Sequence, residues 1–387
     1  MQKPRVAIIG GGLGGVMAAI LLHDKGYRVQ VYEQAHELTR IGAGIQLSPN
    51  VMRIMRHIGL EDKMFEIGLQ PREKLSRDWK TGEITYAVPL QDMYRLYGAR
   101  YLIMHRGDML AIMVSALKPG ILRLGKQLVS LDESASSVRL LFADGTTTEV
   151  DAVIGADGVD SRIREIILGS EAPTYTGYIA YRSIFPKRLI GGLEIPDSSK
   201  WWGDDRHLVI YHLTNRRDEV YFVTGVPDPE WRADTLSPVS VDVNEVRAAF
   251  AGFHPEVRAV LAACPQATKA PLLERKPFPL WSRGDIVLLG DACHPMPPHM
   301  GQGAGMAIED AVMLARCLEA ASDHRKAFDL YARMRIDRTA RVQRESHDNE
   351  WIRYSMDHEW LFGHDVLTIP LQDFHRNPES SPQVQVA

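Results

Sequence analysis

The sequence predicts an α/β fold: a Rossmann-like parallel sheet interleaved with a smaller, mainly antiparallel β-sheet lobe, followed by C-terminal helices. Three observations predict it. Short apolar runs ending in glycine recur at residues 5–9, 153–155 and 285–289, each followed by a helical pattern, as expected for strands buried on both faces of a parallel sheet. Between residue 173 and about residue 229 helical periodicity vanishes and aromatic and β-branched segments dominate. From about residue 325 to 353 the chain is charge-rich and helical again.

The first of these units is RVAIIGGGLGGVMAAILLHDKGYRVQVYE, residues 5–33. A buried strand stops at Gly10, and Gly10, Gly12 and Gly15 spell G-x-G-x-x-G. A helix then runs to Gly26, a second strand follows, and Glu33 stands at its tip, 18 residues after Gly15. The glycines permit a tight turn and close approach of backbone to a pyrophosphate, the helix N-terminus faces the phosphates, and the carboxylate accepts hydrogen bonds from a ribose. The unit therefore predicts dinucleotide binding. An acid at the ribose suits FAD or NAD and disfavours a 2′-phosphate.

With 387 residues, 45% hydrophobic and 24% charged, the chain can bury a sizeable core and exceeds one minimal α/β unit. A net charge of −4 gives no basic face for nucleic acid. Three scattered cysteines form neither a disulfide framework nor a zinc pattern, so a reducing, cytoplasmic setting is expected. No apolar run is long enough to cross a membrane, and the first strand leaves no room for a signal peptide.

Further along, Gly42 and Gly44 mark a permissive loop and Asn50 a helix cap. Residues 79–89 alternate around Thr81-Gly82, a hairpin signature. Residues 122–131, 138–143 and 146–153 read as strands, ending in Gly155-Ala156-Asp157-Gly158. Asp157 can satisfy the N–H groups of the following helix or contact a dinucleotide. Residues 206–214 and 219–226 form a long hairpin, and 243–250 and 255–263 read as helices. A buried strand at 285–289 delivers GDACHPMPPHMGQGAGMAIEDA, with a helix from about Gly303. His347, His358 and His364 lack metal-ligand spacing and read as solvent-facing, so no metal site is expected. Residues after Asn377 read as disordered.

Three glycine-bearing turns, each after a buried strand, share one crevice in an open parallel sheet and imply one long ligand. At this point the chain resembles the single-component, FAD-dependent aromatic hydroxylases of the p-hydroxybenzoate hydroxylase type. The resemblance lies in G-x-G-x-x-G with Glu33, in Asp157-Gly158 and in Gly290-Asp291. Runs such as HRGD, KWW…DRH, YFVTGVP and LWSRG are most similar to the branch acting on 6-hydroxynicotinate, although Gln46 stands where that branch has histidine, and Ser198 or Ser199 where it has cysteine.

The resemblance implies that Gly10, Gly12, Leu13, Gly15, Glu33 and Gln34 hold the ADP half of FAD. Arg40 and Arg106 would contact phosphate or ribitol, Asp157 and Gly158 the dinucleotide, and Gly290 and Asp291 the ribitol. Gly301, Gln302, Gly303 and Ala304 would lie at the isoalloxazine edge. It implies NADH or NADPH, with NADH preferred, as transient reductant, O2 as co-substrate, hydroxylation of a small aromatic acid through a flavin C4a-hydroperoxide, and a possible homodimer. His207 and Tyr211, four apart on a predicted strand, share one face and, with Gln46 and His299, are the expected substrate-binding residues. His207, Tyr211 and His299 are the expected catalytic ones, while Trp201, Trp202 and Tyr221 are expected to pack. The implied reaction is 3-hydroxylation of 6-hydroxynicotinate with decarboxylation to 2,5-dihydroxypyridine; salicylate or 3-hydroxybenzoate is the alternative substrate. The expected division is 1–75, 100–172 and 275–330 for the FAD-binding domain, 76–99 and 173–274 for the substrate domain, and 331–387 for the helical segment and tail.

Overall fold

A computed structural model describes residues 3–40, 43–135, 137–231, 238–354 and 357–371; Gly42 and the tail after Asn377 lie outside them. The organising sheet has six strands in the order Ser282–Arg283, Ile286–Leu288, Ala152–Gly155, Arg5–Ile9, Arg28–Tyr32 and Leu122–Arg123. All neighbours run parallel except the first pair. Its central strands are almost wholly buried, which is why they read as unbroken apolar runs.

Helix Leu13–Asp24 crosses between the first two strands and packs on helix Gly303–Ala320. Gly14 makes the approach possible: a Cβ there would sit 2.6 Å from Leu289 Cδ2 and 3.2 Å from Ala307 Cβ. The first helix ends at Gly26, φ +80°.

Two expected strands are each split in the structure. Residues 122–131 divide into Leu122–Arg123, in the large sheet, and Leu128–Glu133, in a three-stranded sheet with Val138–Phe142 and Thr147–Val150. Residues 146–153 divide at Asp151, whose carboxylate accepts from the Arg5 amide at 2.7 Å and from its guanidinium. That ion pair turns the chain from the small sheet into the large one.

The second lobe is an eight-stranded sheet ordered Val239–Val241, Ala267–Glu274, Thr174–Pro186, Glu219–Pro227, His207–His212, Ser198–Trp202, Glu73–Asp78 and Ile84–Pro89. It is antiparallel apart from the pairing of Ser198–Trp202 with Glu73–Asp78. The hairpin at Thr81-Gly82 is present, with Gly82 at φ +73°, but its first strand, Glu73–Asp78, precedes the alternating stretch. Glu-Lys-Leu-Ser-Arg-Asp carries little apolar signal, and only its place inside the sheet buries it.

The C-terminal helix, His324–Asp348, is pinned by a buried ion cluster. Arg335 donates to Glu309 at 2.8 Å and to Asp310 at 2.7 Å, all three residues being fully buried. Arg338 and Asn50 also donate to Glu309, and the Gly290 amide donates to Asp310, which pairs with His294 at 2.6 Å. Burial alone would raise the Glu309 carboxyl, but Arg338 and Arg335 outweigh it and hold it below its ordinary range. The expectation that His358 and His364 face solvent is corrected: both are half-buried, and the His358 ring stacks on Phe362. His347 alone of the three is exposed, beside Glu274. Among the described residues no helix is long and apolar enough to cross a membrane.

Candidate functional site

A single cavity of about 1130 Å³ runs between the two lobes. Gly10, Gly12, Leu13, Glu33 and Gln34 line one end; Gln46, Tyr211, His299, Gly301, Gly303 and Ala304 line the other; Arg106, Asp157, Gly158, Gly290 and Asp291 also face it. The three glycine turns thus open into one space.

At the first end the wall is largely backbone. Gly10 has φ +108°, and a Cβ there would lie 2.2 Å from the Ala156 carbonyl oxygen. A Cβ on Gly15 would lie 2.1 Å from the Gly10 carbonyl oxygen, so Gly15 does not line the cavity but lets helix and strand close on each other. A Cβ on Gly12 would meet nothing within 4 Å and would project where a pyrophosphate must approach the helix. Glu33 is held by the Gly11 amide at 2.7 Å and the Ala35 amide at 2.9 Å, leaving lone pairs for ribose hydroxyls.

Asp291 is exposed and lines the cavity. It has no hydrogen-bond partner among the described residues, and desolvation by the surrounding protein raises its carboxyl above the usual range. Such an acceptor, aimed into the cavity beside the N-terminus of helix Gly303–Ala320, fits a polyhydroxylated chain. The glycine cradle, the Glu33 carboxylate and this unpartnered aspartate together fit FAD.

Three expected contacts are placed differently. Arg40 does not line the cavity: its guanidinium is forked between Asp108 (2.7 and 2.9 Å) and Glu219 (3.0 and 2.7 Å). Asp157 faces the cavity, but both its oxygens serve the next helix, accepting from Ser161 Oγ at 2.5 Å and the Ile163 amide at 3.0 Å. Gln302 is buried and donates to Ser48 Oγ at 2.9 Å, bracing the Gly301 turn from behind.

The opposite wall is one face of the eight-stranded sheet, where residues paired across strands line up. One row is Arg182, Val223, Val209, Lys200 and Ser76; the next is Ile184, Tyr221, Tyr211 and Ser198. Lys74, two residues before Ser76, shares that face. The cavity therefore touches Lys74, Arg182, Lys200, Val209, Tyr211, Tyr221 and Val223 from this sheet, three cations and no acid.

Strand Gly44–Leu47 lies directly over Tyr211, since a Cβ on Gly44 would be 2.5 Å from the Tyr211 hydroxyl. Gln46 Oε1 accepts from Lys74 Nζ at 2.9 Å and Tyr101 OH at 2.6 Å, which turns its amide N–H₂ away from both. Burial keeps the Tyr211 phenol protonated, well above its ordinary pKa.

His299 donates from Nδ1 to the Ser346 carbonyl at 2.7 Å, so the neutral ring carries its lone pair on Nε2. That nitrogen is buried with no partner among the described residues. Desolvation, then the Lys200 charge, lower the His299 pKa to about 3.

His207 shares the sheet face of Tyr211 but does not line the main cavity. It packs edge-on against His299 (ring centroids 5.1 Å apart) and lines a smaller cavity of about 300 Å³. A Cβ on Gly225 would fall 2.2 Å from its ring. Asn349 accepts from Lys200 Nζ at 2.8 Å, so its amide nitrogen faces His207 Nδ1 at 3.2 Å and places the His207 proton on Nε2. Tyr221 faces the main cavity, Trp202 the smaller one, and Trp201 is core, stacked between Arg77 and His254. Lys74, Lys200, Arg182 and Asn349 were not anticipated; a lone lysine in the apolar strand SSKWW was the available signal.

A family model described as "FAD binding domain" matches residues 3–346. The 6-hydroxynicotinate 3-monooxygenase of Bordetella bronchiseptica is 52% identical over 379 residues, 97% of this chain and 98% of that protein. The enzyme of the same name from Pseudomonas fluorescens is 50% identical over 96% of this chain and 97% of its own length. Among solved structures, Klebsiella pneumoniae HpxO complexed with FAD and uric acid superimposes with a TM-score of 0.80 at 27% identity, covering 92% of this chain and 90% of that one.

Proposed function

The chain belongs to the FAD-dependent aromatic hydroxylases, and on that premise we propose that it converts 6-hydroxynicotinate, O2, NADH and two protons to 2,5-dihydroxypyridine, carbon dioxide, water and NAD+. The observation that carries the reading is the cavity that joins the glycine cradle to a wall lined by Tyr211 and His299. Similarity to the two 6-hydroxynicotinate enzymes supports the choice of ring acid.

Bound FAD supplies electron transfer from the nicotinamide and activation of oxygen. The chain supplies position and proton control. Gly10, Gly12, Leu13, Glu33 and Gln34 would hold the adenosine end, and Asp291 would accept hydrogen bonds from the ribitol. The N-terminal amides of helix Gly303–Ala320, which begins at the cavity wall, would favour negative charge placed there by about 0.3–2 kcal/mol. His299 Nε2, a free acceptor, takes a hydrogen bond from the ring hydroxyl, and the Tyr211 hydroxyl donates to the same ring oxygen. Electron density pushed from that oxygen reaches the para carbon, which bears the carboxylate, so oxygen insertion there is followed by loss of carbon dioxide. The buried sheet face keeps water from the reaction. His207 orients His299 rather than touching the ring. A cytoplasmic enzyme is expected from the same reading.

The test is substrate-stimulated NADH oxidation, with NADPH alongside, for a panel of hydroxypyridine and hydroxybenzoate acids. The expected result is stimulation by 6-hydroxynicotinate with formation of 2,5-dihydroxypyridine. Stimulation by salicylate or 3-hydroxybenzoate alone would overturn the choice of ring.

A further inference from the structure

We propose that Lys74 and Lys200 form a paired-ammonium seat for the carboxylate of the ring acid, and so decide that the enzyme takes acids rather than neutral rings. This rests on the proposed reaction and adds the residues that set its specificity.

Both lysines line the main cavity, and they are 7% and 1% exposed. Neither has a carboxylate partner among the described residues. Lys74 Nζ donates to Gln46 Oε1; Lys200 Nζ donates to Asn349 Oδ1 and lies 3.8 Å from the centre of the Trp202 ring. Amides and a π face orient an ammonium without neutralising it. The contrast with Arg335 is direct, since that equally buried cation has two acids against it. A buried charge left without a counter-ion is costly unless something brings one.

The acids that line the cavity are Glu33, Asp157, Asp160 and Asp291, contributed by the nucleotide-binding lobe and not by the sheet. The titratable neighbours of Lys74 are Tyr101, Tyr211, His358 and Lys200, and those of Lys200 are Lys74, Arg353, His207 and His299. Desolvation lowers Lys74 to about 8 and holds Lys200 well below the lysine norm. Burial lowers the three histidines too, so above neutral pH they are uncharged. Lys74 then loses charge as pH rises through about 8. A carboxylate entering between the two lysines supplies the missing counter-ion.

The test titrates FAD-loaded enzyme, followed by flavin absorbance, with 6-hydroxynicotinate and with its uncharged analogue 6-hydroxynicotinamide. Wild type should prefer the acid by roughly 30-fold or more, and Lys200→Met or Lys74→Met should weaken acid binding roughly 10- to 100-fold while moving amide binding by less than about threefold. Equal weakening of both ligands in variants that retain FAD would overturn the proposal. Wild type alone provides a second arm: acid affinity should fall as pH rises above about 8, with amide affinity flat, and parallel profiles would overturn it. If the panel shows that another ring acid drives turnover, the choice of 6-hydroxynicotinate falls, and the same acid-against-amide comparison with that ring decides the lysines separately.

Discussion

At the nucleotide end of the cavity the wall is made by neighbours in sequence: residues 10–15 and Glu33 belong to one strand-helix-strand unit, and their work is done by backbone amides and missing side chains. At the substrate end the wall is made by side chains from strands between Glu73 and Pro227, brought into rows by cross-strand register. At the first end an added Cβ on Gly10 or Gly15 has no room. The second end presents side-chain charge from Lys74, Arg182 and Lys200, and on the proposed function specificity is set there.

The largest expected effect tests the first end. Gly10→Val places a branched side chain at φ +108° and against the Ala156 carbonyl, so the purified protein should be colourless, with FAD affinity down by at least about 100-fold. A yellow Gly10→Val protein would break the account of that wall. At the other end, His299→Ala and Tyr211→Phe should keep their FAD and lose about 10²- to 10⁴-fold in kcat, read by stopped-flow and steady-state turnover. A loss confined to KM would assign those residues to binding alone.

The brace shared by both ends comes next. Arg335→Met removes the cation shared by two buried carboxylates, leaving Glu309 to Arg338 and Asp310 to His294, and should cost about 3–5 kcal/mol in denaturant unfolding. The smallest effect separates function from stability at the second end. The Lys74 pKa is lower folded, about 8, than unfolded, about 10.5, so the folded state holds fewer protons between these values and wild-type stability gains with rising pH there. Below pH 8 the burial cost is fully present. Lys74→Met should therefore be more stable than wild type by on the order of 1–3 kcal/mol at pH 7, with the gap closing toward pH 10 in parallel unfolding curves.

The same contrast explains what could be read before the structure. The Gly10–Gly15 turn, Glu33, Asp291 and the turn at Gly301 were legible because each signal is local: a glycine spacing, a strand end, a helix start. Lys74 was not, because Glu73–Asp78 is polar and its burial arises only when it slots between Ser198–Trp202 and Ile84–Pro89. Arg40 shows the converse, a plausible phosphate ligand that two carboxylates far away in sequence had already engaged. The stretch from Asn349 to Asp365 had no reading beyond packing or a subunit contact. Asn349, at φ +53° at the helix end, reaches Lys200 and His207, while Trp351, Ile352, Leu361 and Phe362 join a core packed beneath the substrate wall.

The most direct measurement is a crystal structure of the FAD-loaded enzyme soaked anaerobically with 6-hydroxynicotinate. The account predicts adenosine density at Glu33, the flavin edge at Gly301–Ala304, and the ring acid over Tyr211 with its carboxylate between Lys74 and Lys200. A flavin seated elsewhere, or a ring bound with its carboxylate turned away from both lysines, would contradict it.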